Sequence, residues 1–460
     1  MHYRVSRHCR TEIAGSLLLT VLFLLEAQPA LAERRLQPSH IGEFRAWMLA
    51  NKKAPAPAPA ITDEQSLGAA LYSDPNLSLN RNQSCASCHS LAPVLSGAPG
   101  FVDPDNVTNA TAVSKGSVEG RFGTLNAPSA AYAAFSPAFH WDGVEGLYVG
   151  GQFWNGRAAN LQAQAAQPFL NPSEMALPSK WAFVSRLRQN RSYRAAFETI
   201  YGIKLESIPG REGAPAKAKA PAGVPSAYDA ATKAIAEFEK SRLFNRFTSK
   251  FDFYLAGTTE LSPEEKRGLD LFNGKARCAA CHVSEPTLAT DGTPFPPLFT
   301  DFTYDNIGVP RNTRIPGNPE PNPGLGGRED IAARSPGGSE LGKHKVMSLR
   351  NIAITPPYAH NGVFTSLEQI THFYNTRDVL DRLDSEQDPA FGVTGWPAPE
   401  VPETVNADEL GNLGLTDEEE AAVVLFMKTL TDGYPDWGAD PNVPPGTPSP
   451  FAATPLPPFP

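Results

Sequence analysis

Cysteine is scarce in this 460-residue chain: the five are Cys9, Cys85, Cys88, Cys278 and Cys281. That number excludes a disulfide-rich scaffold. Long apolar runs are also lacking. Leu17–Leu25 is too short to span a bilayer comfortably. Basic charge is not in excess, since 40 Lys and Arg stand against 49 Asp and Glu, a net −9. Such a balance argues against a nucleic-acid partner. Strand-like alternation is rare, and the periodic stretches read as helices, so the expected class is mainly α with long ordered loops.

The N-terminus reads as an address label. Arg4, Arg7 and Arg10 precede the short apolar run, and Ala30-Leu31-Ala32 fits the small-residue cleavage rule. An uncleaved membrane anchor is the alternative. Residues 1–32 carry three Arg against two Glu, so their removal takes the net charge from −9 to −10. Cleavage would also remove Cys9. Every remaining cysteine then lies in one of two short motifs, with no membrane span left.

Those motifs are Cys85-Ala86-Ser87-Cys88-His89 and Cys278-Ala279-Ala280-Cys281-His282. Both are C-x-x-C-H, the attachment site of a c-type haem. The two thiols add across the vinyl groups, and the adjacent His ligates iron from the proximal side. A zinc site would need further Cys or His at ligand spacing, and none accompanies either motif. A redox dithiol needs no His directly after it. Two covalent haems are therefore expected, and covalent haem of this kind points to the periplasm. An acidic surface suits a basic electron-transfer partner, although acidic surfaces also serve solubility.

Proline, 45 residues in all, gathers in a few stretches. Residues 33–60 form an Ala/Pro-rich spacer. A second break lies around Ile208–Pro225, and residues 437–460 read as a Pro-rich disordered tail. Between these, Thr62 with Gln65 and Ser262 with Glu265 form capping boxes, each opening a short helix ahead of a haem motif. Pro263 suits a first helical position. A third box, Thr416 with Glu419, opens a helix whose apolar face is Val423, Phe426, Met427 and Leu430, with Gly433 as its C-terminal cap. This repeat is the layout of two cytochrome c-like domains, 61–250 and 251–436.

Two longer signatures accompany the haem motifs. Phe153-Trp154-Asn155-Gly156-Arg157-Ala158 runs on to Leu161, Gln164-Ala165, Pro168, Asn171-Pro172 and Glu174-Met175. Lys345-Val346-Met347-Ser348-Leu349-Arg350-Asn351 leads to Thr355-Pro356-Pro357-Tyr358-Ala359-His360-Asn361-Gly362. With them, the stretch from Ile61 to Gly433 resembles the bacterial dihaem cytochrome c peroxidase/MauG family. Asn155 stands where Asp is usual, and Met347 where Pro is usual.

The resemblance implies roles. Glu174 would be the acid/base that moves a proton between the peroxide oxygens, and Gln164 would orient peroxide by hydrogen bonds. Otherwise both are ordinary surface residues. Trp154 would relay an electron or hole between the haems; its alternative is packing. A structural Ca2+ would take Asn126, Thr355 and Pro357, an oxygen set that suits this ion.

The sixth iron positions decide the function. Many family members cap the N-terminal peroxidatic haem with a His from the loop after its motif. Ser90 to Phe139 contains no His here. His89 is then expected to face an open site, with His140 as the runner-up cap. For the second haem, the family's axial Met lies fourteen residues after the His that matches His360, and that position holds Tyr374. The MauG branch also has Tyr there. His282/Tyr374 ligation follows, the alternatives being a core aromatic with Met347 or Met427 as the sulfur donor.

The expected activity is H2O2 reduction at the first haem, with oxidising equivalents passing to the second. The external donor would be a small periplasmic cytochrome, a cupredoxin or a MauG-like protein substrate. A homodimer is compatible with the resemblance. The alternative is a non-catalytic dihaem electron carrier.

Overall fold

A computed structural model describes residues 61–91, 93–95, 98–99, 111–288, 294–317, 320–334, 338–435 and 438–452. The expected signal peptide (1–32) and spacer (33–60) lie outside the described residues. Eleven α-helices carry the described chain: α1 Glu64–Tyr72, α2 Cys85–Cys88, α3 Leu161–Ala165, α4 Lys180–Leu187, α5 Arg191–Tyr201, α6 Gly223–Glu239, α7 Lys250–Leu255, α8 Pro263–Asn273, α9 Glu329–Ala332, α10 Leu367–Thr376 and α11 Asp417–Lys428. The described strands form only two-stranded ladders, so the mainly helical expectation holds. Among the described residues, no helix is long and apolar enough to cross a membrane.

The capping boxes set the starts of the key helices. Ser262 N donates to Glu265 Oε2 at 2.7 Å, and Glu265 N donates back to Ser262 Oγ at 3.2 Å. Thr416 and Glu419 repeat this exchange at 3.0 and 3.3 Å. The first box forms one residue later than the Thr62/Gln65 pair. Asp63 caps α1, accepting from Ser66 N at 2.8 Å, while Ser66 Oγ accepts from Asp63 N at 3.0 Å. A carboxylate caps a helix better than a threonine hydroxyl, and a serine at the third position can reach back as Gln would. The last helix also stops short of Gly433: Thr429 is its C-cap. Beyond it the carbonyls turn outward to the body, Thr429 O accepting from Phe251 N and Leu430 O from Asn351 N. The apolar face of Val423, Phe426, Met427 and Leu430 is buried as expected.

Two apolar clusters organise the described chain. Leu67, Leu71, Tyr72, Phe169, Phe183, Tyr228 and Ile235 belong to the first. Phe251, Phe272, Phe299, Phe373, Trp396 and Phe426 belong to the second. In each, the helix ahead of a haem motif crosses a closing helix at a glycine. A Cβ on Gly68 of α1 would collide with the Ala234 carbonyl of α6, and one on Gly268 of α8 with the Ala422 carbonyl of α11. Only a residue without a side chain permits such a backbone approach.

A buried ionic network ties the two clusters together. Arg350 pairs bidentately with Asp252 at 3.1 and 3.0 Å. Its guanidinium lies over the rings of Tyr132 and Phe247. Tyr132 in turn donates to Asp432 Oδ2 at 2.8 Å, as Asn351 Nδ2 does at 2.9 Å.

The C-terminal stretch corrects the sequence reading. Residues 438–452 pack on the body instead of forming a disordered tail. Val443 is fully buried with Phe253 and Tyr434, Ser449 Oγ donates to Phe247 O at 2.6 Å, and Phe451 lies against the first cluster. Proline-rich composition disfavours regular structure, but a few apolar side chains suffice to anchor an extended segment to a core already formed.

Candidate active site

The first haem motif opens on α2. His89 N donates to Cys85 O at 2.8 Å, and Tyr72 Oη donates to His89 O at 3.4 Å. The motif lines a cavity of about 530 Å3. Burial pushes the Cys85 thiol well above its ordinary value, with the Glu239 carboxylate and Cys88 adding to the shift. A thiol held in that state is a poor nucleophile, which disfavours a redox dithiol. Two thiols and an imidazole at one wall of a large cavity fit a covalently held haem.

Gln164 and Glu174 line the same cavity, together with Trp154 and Arg157. Asn160 caps α3 by accepting from Ala163 N at 3.0 Å, and Gln164 stands on that helix one turn on. Glu174 is fixed by the turn that follows: Asn171 Nδ2 donates to Glu174 Oε1 at 2.6 Å, and Glu174 O accepts from Ser117 N at 2.7 Å. Burial raises the Glu174 carboxyl above its ordinary value, while Arg157 and the Asn171 hydrogen bond hold it back. Arg157 is placed by stacking on Phe153, 3.5 Å from the ring centroid, and by donating to Gln167 Oε1 at 3.0 Å.

His89 is the one imidazole in the described lining of this cavity. His140, the runner-up cap, is elsewhere. It sits exposed on the hairpin His140–Asp142/Leu147–Val149, with Nδ1 against Ala138 O at 2.8 Å.

The second motif lines a narrower cavity of about 210 Å3 with Tyr374, Met347 and Met427. His282 Nδ1 donates to Phe299 O at 2.9 Å, fixing the tautomer that leaves Nε2 free for a metal. Burial lowers the His282 pKa, keeping the ring neutral. Burial pushes the Cys278 and Cys281 thiols up to about 12. Tyr374 comes from α10, and burial raises its phenol, with Cys281, Cys278 and Asp305 adding to the shift.

Trp154 lines both cavities. Its Nε1 donates to Asn126 O at 2.9 Å, and its carbonyl accepts from Lys345 N at 2.8 Å. His344 and His360 stack beside it, their centroids 3.6 Å apart. His360 Nε2 meets Glu400 Oε2 at 3.2 Å, and His344 Nε2 meets Asn322 Oδ1 at 3.1 Å. Asn126, Thr355 and Pro357 gather at a third cavity of about 120 Å3. There Asn126 Nδ2 donates to Pro357 O at 2.9 Å; a cation would be met by the amide oxygen instead.

Apart from His140, the residues singled out in the sequence thus line these three cavities. Others went unassigned. Arg157 and Lys345 stand inside the quoted signatures, so position gave a signal for them. Glu239 gave none: it is a buried carboxyl on α6, raised to about 8 by burial, whose Oε2 has no hydrogen-bond partner among the described residues.

Comparison with known proteins agrees with this geometry. The description di-haem cytochrome c peroxidase matches residues 62–260. The chain is 38% identical over 380 residues to the methylamine utilization protein MauG of Paracoccus denitrificans, spanning 81% of this chain and 90% of that protein. It is 32% identical over 321 residues to the cytochrome c peroxidase Ccp of Escherichia coli, spanning 68% of this chain and 54% of that protein. Among solved structures, the diheme peroxidase BthA from Burkholderia thailandensis matches with a TM-score of 0.63 at 30% identity, spanning 84% of this chain and 89% of that one. Two C-x-x-C-H motifs at two cavities, the shared signatures and these likenesses together place the chain in the di-haem cytochrome c peroxidase/MauG family, with the MauG-like branch the better fit.

Proposed function

We propose that this protein is a periplasmic oxidoreductase with two covalent c-type haems, at Cys85/Cys88/His89 and Cys278/Cys281/His282, that reduces H2O2 at the first. Each haem belongs to a cytochrome c-like domain, 61–250 and 251–436. When bound, the haems would supply redox-active iron, for reaction with peroxide at His89 and for electron transfer at His282.

The observation that carries this reading is the placement of Glu174 and Gln164 in the cavity of the first motif. Glu174 Oε1 is held by Asn171, so Oε2 is the atom left to take a proton from one peroxide oxygen and return it to the other. Arg157 keeps that carboxyl easier to ionise than burial alone would allow. The Gln164 amide offers both a donor and an acceptor to peroxide. Trp154, as a wall of both cavities, is the route for oxidising equivalents. Tyr374, in the lining of the second cavity, would offer the second haem an oxygen donor, harder than a Met sulfur. Asn126, Thr355 and Pro357 would hold Ca2+ if the Asn126 amide turned its oxygen toward the ion. The external donor is a small periplasmic cytochrome or cupredoxin, or a protein substrate.

Absorption and EPR spectra of the resting ferric protein, followed by mixing with H2O2, test the reading. One high-spin haem that reacts with peroxide is expected. Two low-spin haems indifferent to peroxide would make the protein a non-catalytic electron carrier.

A further inference from the structure

Lys345 is a cation without a counter-charge among the described residues. It follows His344 in the short ladder with Tyr304–Asp305, and its side chain turns inward until only 6% of the residue is exposed. Nζ donates to Ser136 Oγ and to Gly151 O, both at 2.5 Å. These are neutral acceptors, and an ammonium has three N–H bonds to place. No carboxylate among the described residues pairs with it. The acids of the same cavity, Asp305 and Glu409, gather instead about Cys281, within 4.8 Å of its sulfur. Burial alone pushes the Lys345 amine down to about 7.

Beyond these two dipoles the ammonium meets the face of the Phe302 ring, 5.3 Å from its centroid, but no opposite charge; a buried ammonium so placed is costly, and such sites are relieved by loss of the proton or by an opposite charge. Here the described residues do not supply that charge. Lys345 lines the second cavity and the small cavity beside it, and Ser136 and Phe302, which meet its ammonium, line the small one. A c-type haem is tethered through its vinyl-bearing edge, and its two propionates leave the opposite edge. The cavity's other lining cation, Arg277, directly precedes Cys278 and donates to Asp408 O at 2.7 Å, so it belongs with the tethered edge.

We propose that the Lys345 ammonium pairs with a propionate of the second haem and thereby raises that haem's potential. The assignment rests on the reading above that a haem is held at Cys278 and Cys281. A fixed cation stabilises the reduced haem, which carries one positive charge less.

The test is spectroelectrochemistry on the dihaem holoprotein. K345Q keeps two N–H donors and loses the charge, whereas K345R keeps the charge. In K345Q the second haem's reduction equilibrium should move about tenfold toward ferric, roughly 59 mV for a one-electron couple. The first haem should not move, and K345R should restore most of the shift. An unmoved second haem, or a shift seen at the first instead, overturns the pairing. A parental midpoint that tracks added chloride would put a free anion at the ammonium and also overturn it. If K345Q loses the second haem, the resonance Raman propionate-bending band of the unchanged protein decides. A hydrogen-bonded frequency supports the pairing; a free-carboxylate frequency overturns it. Fewer than two covalent haems in the parent protein would sink the functional reading and this assignment together, whereas two haems with an unmoved potential would sink the assignment alone.

Discussion

Gly68 lies against Ala234 and Phe238 in the first half of the molecule, and Gly268 against Ala422 and Phe426 in the second. The same crossing, glycine on the helix ahead of a haem motif and Ala-x-x-x-Phe on the closing helix, supports both cavities. Their linings then diverge. The first cavity, about 530 Å3, presents Gln164, Glu174 and Arg157. The second, about 210 Å3, presents Tyr374, Met427 and a set of aliphatic side chains. A shared scaffold therefore fixes where a cofactor is held, while the segments between motif and closing helix decide what reaches it. Residues 153–175 bring an acid and an amide to the first site. Helix α10 brings a phenol to the second.

Breaking the chemical half of this comparison should give the largest effect. E174Q removes the proton shuttle and keeps the size, and peroxide consumption should fall by roughly 10²–10⁴-fold, the usual contribution of a positioned acid/base. Both haems should remain. Stopped-flow mixing with H2O2 reads this, and an unchanged rate would remove Glu174 from the mechanism.

Breaking the shared scaffold comes next. G68A and G268A each force a methyl group into a backbone carbonyl and should destabilise by at least about 1–3 kcal/mol, as overpacking does. Thermal unfolding followed at each haem band measures both. If only one glycine proves sensitive, the two crossings are not equivalent.

Y374F should alter the spectrum of one haem only, the second, and leave peroxide binding at the first intact. Magnetic circular dichroism separates the two. An unchanged spectrum would mean that the phenol does not ligate.

The smallest effect concerns Arg157. It holds the Glu174 carboxyl down against burial, so R157Q should raise that pKa further. Proton abstraction needs the carboxylate, and the acid limb of the pH–rate profile should therefore move to higher pH. The rate well above the limb should change little. A limb that stays in place would show that another group titrates there.

Much of this was legible in the sequence because it depends on local chemistry. Ser262 with Glu265 and Thr416 with Glu419 cap helices through contacts three residues apart, and C-x-x-C-H is a covalent demand written in five residues. Gln164 and Glu174 were legible through the longer signature. One error was local: Asp63, a better cap, displaced its neighbour Thr62. The others arose where distant parts compete: Thr429 ended α11 before Gly433, and residues 438–452 found a surface to pack on despite their composition. Glu239 carried no signal, since an isolated Glu in a helix is ordinarily exposed.

By itself the sequence determined the two C-x-x-C-H motifs, the starts of α8 and α11, and the kinds of side chain available near each motif. Only the tertiary structure decided which of them meet. It set Trp154 in the walls of both cavities, turned His140 out to solvent and drew Lys345 inside, where no described acid pairs with it. Covalent motifs and caps are settled over a few bonds, whereas burial and charge pairing depend on segments hundreds of residues apart closing on the same space.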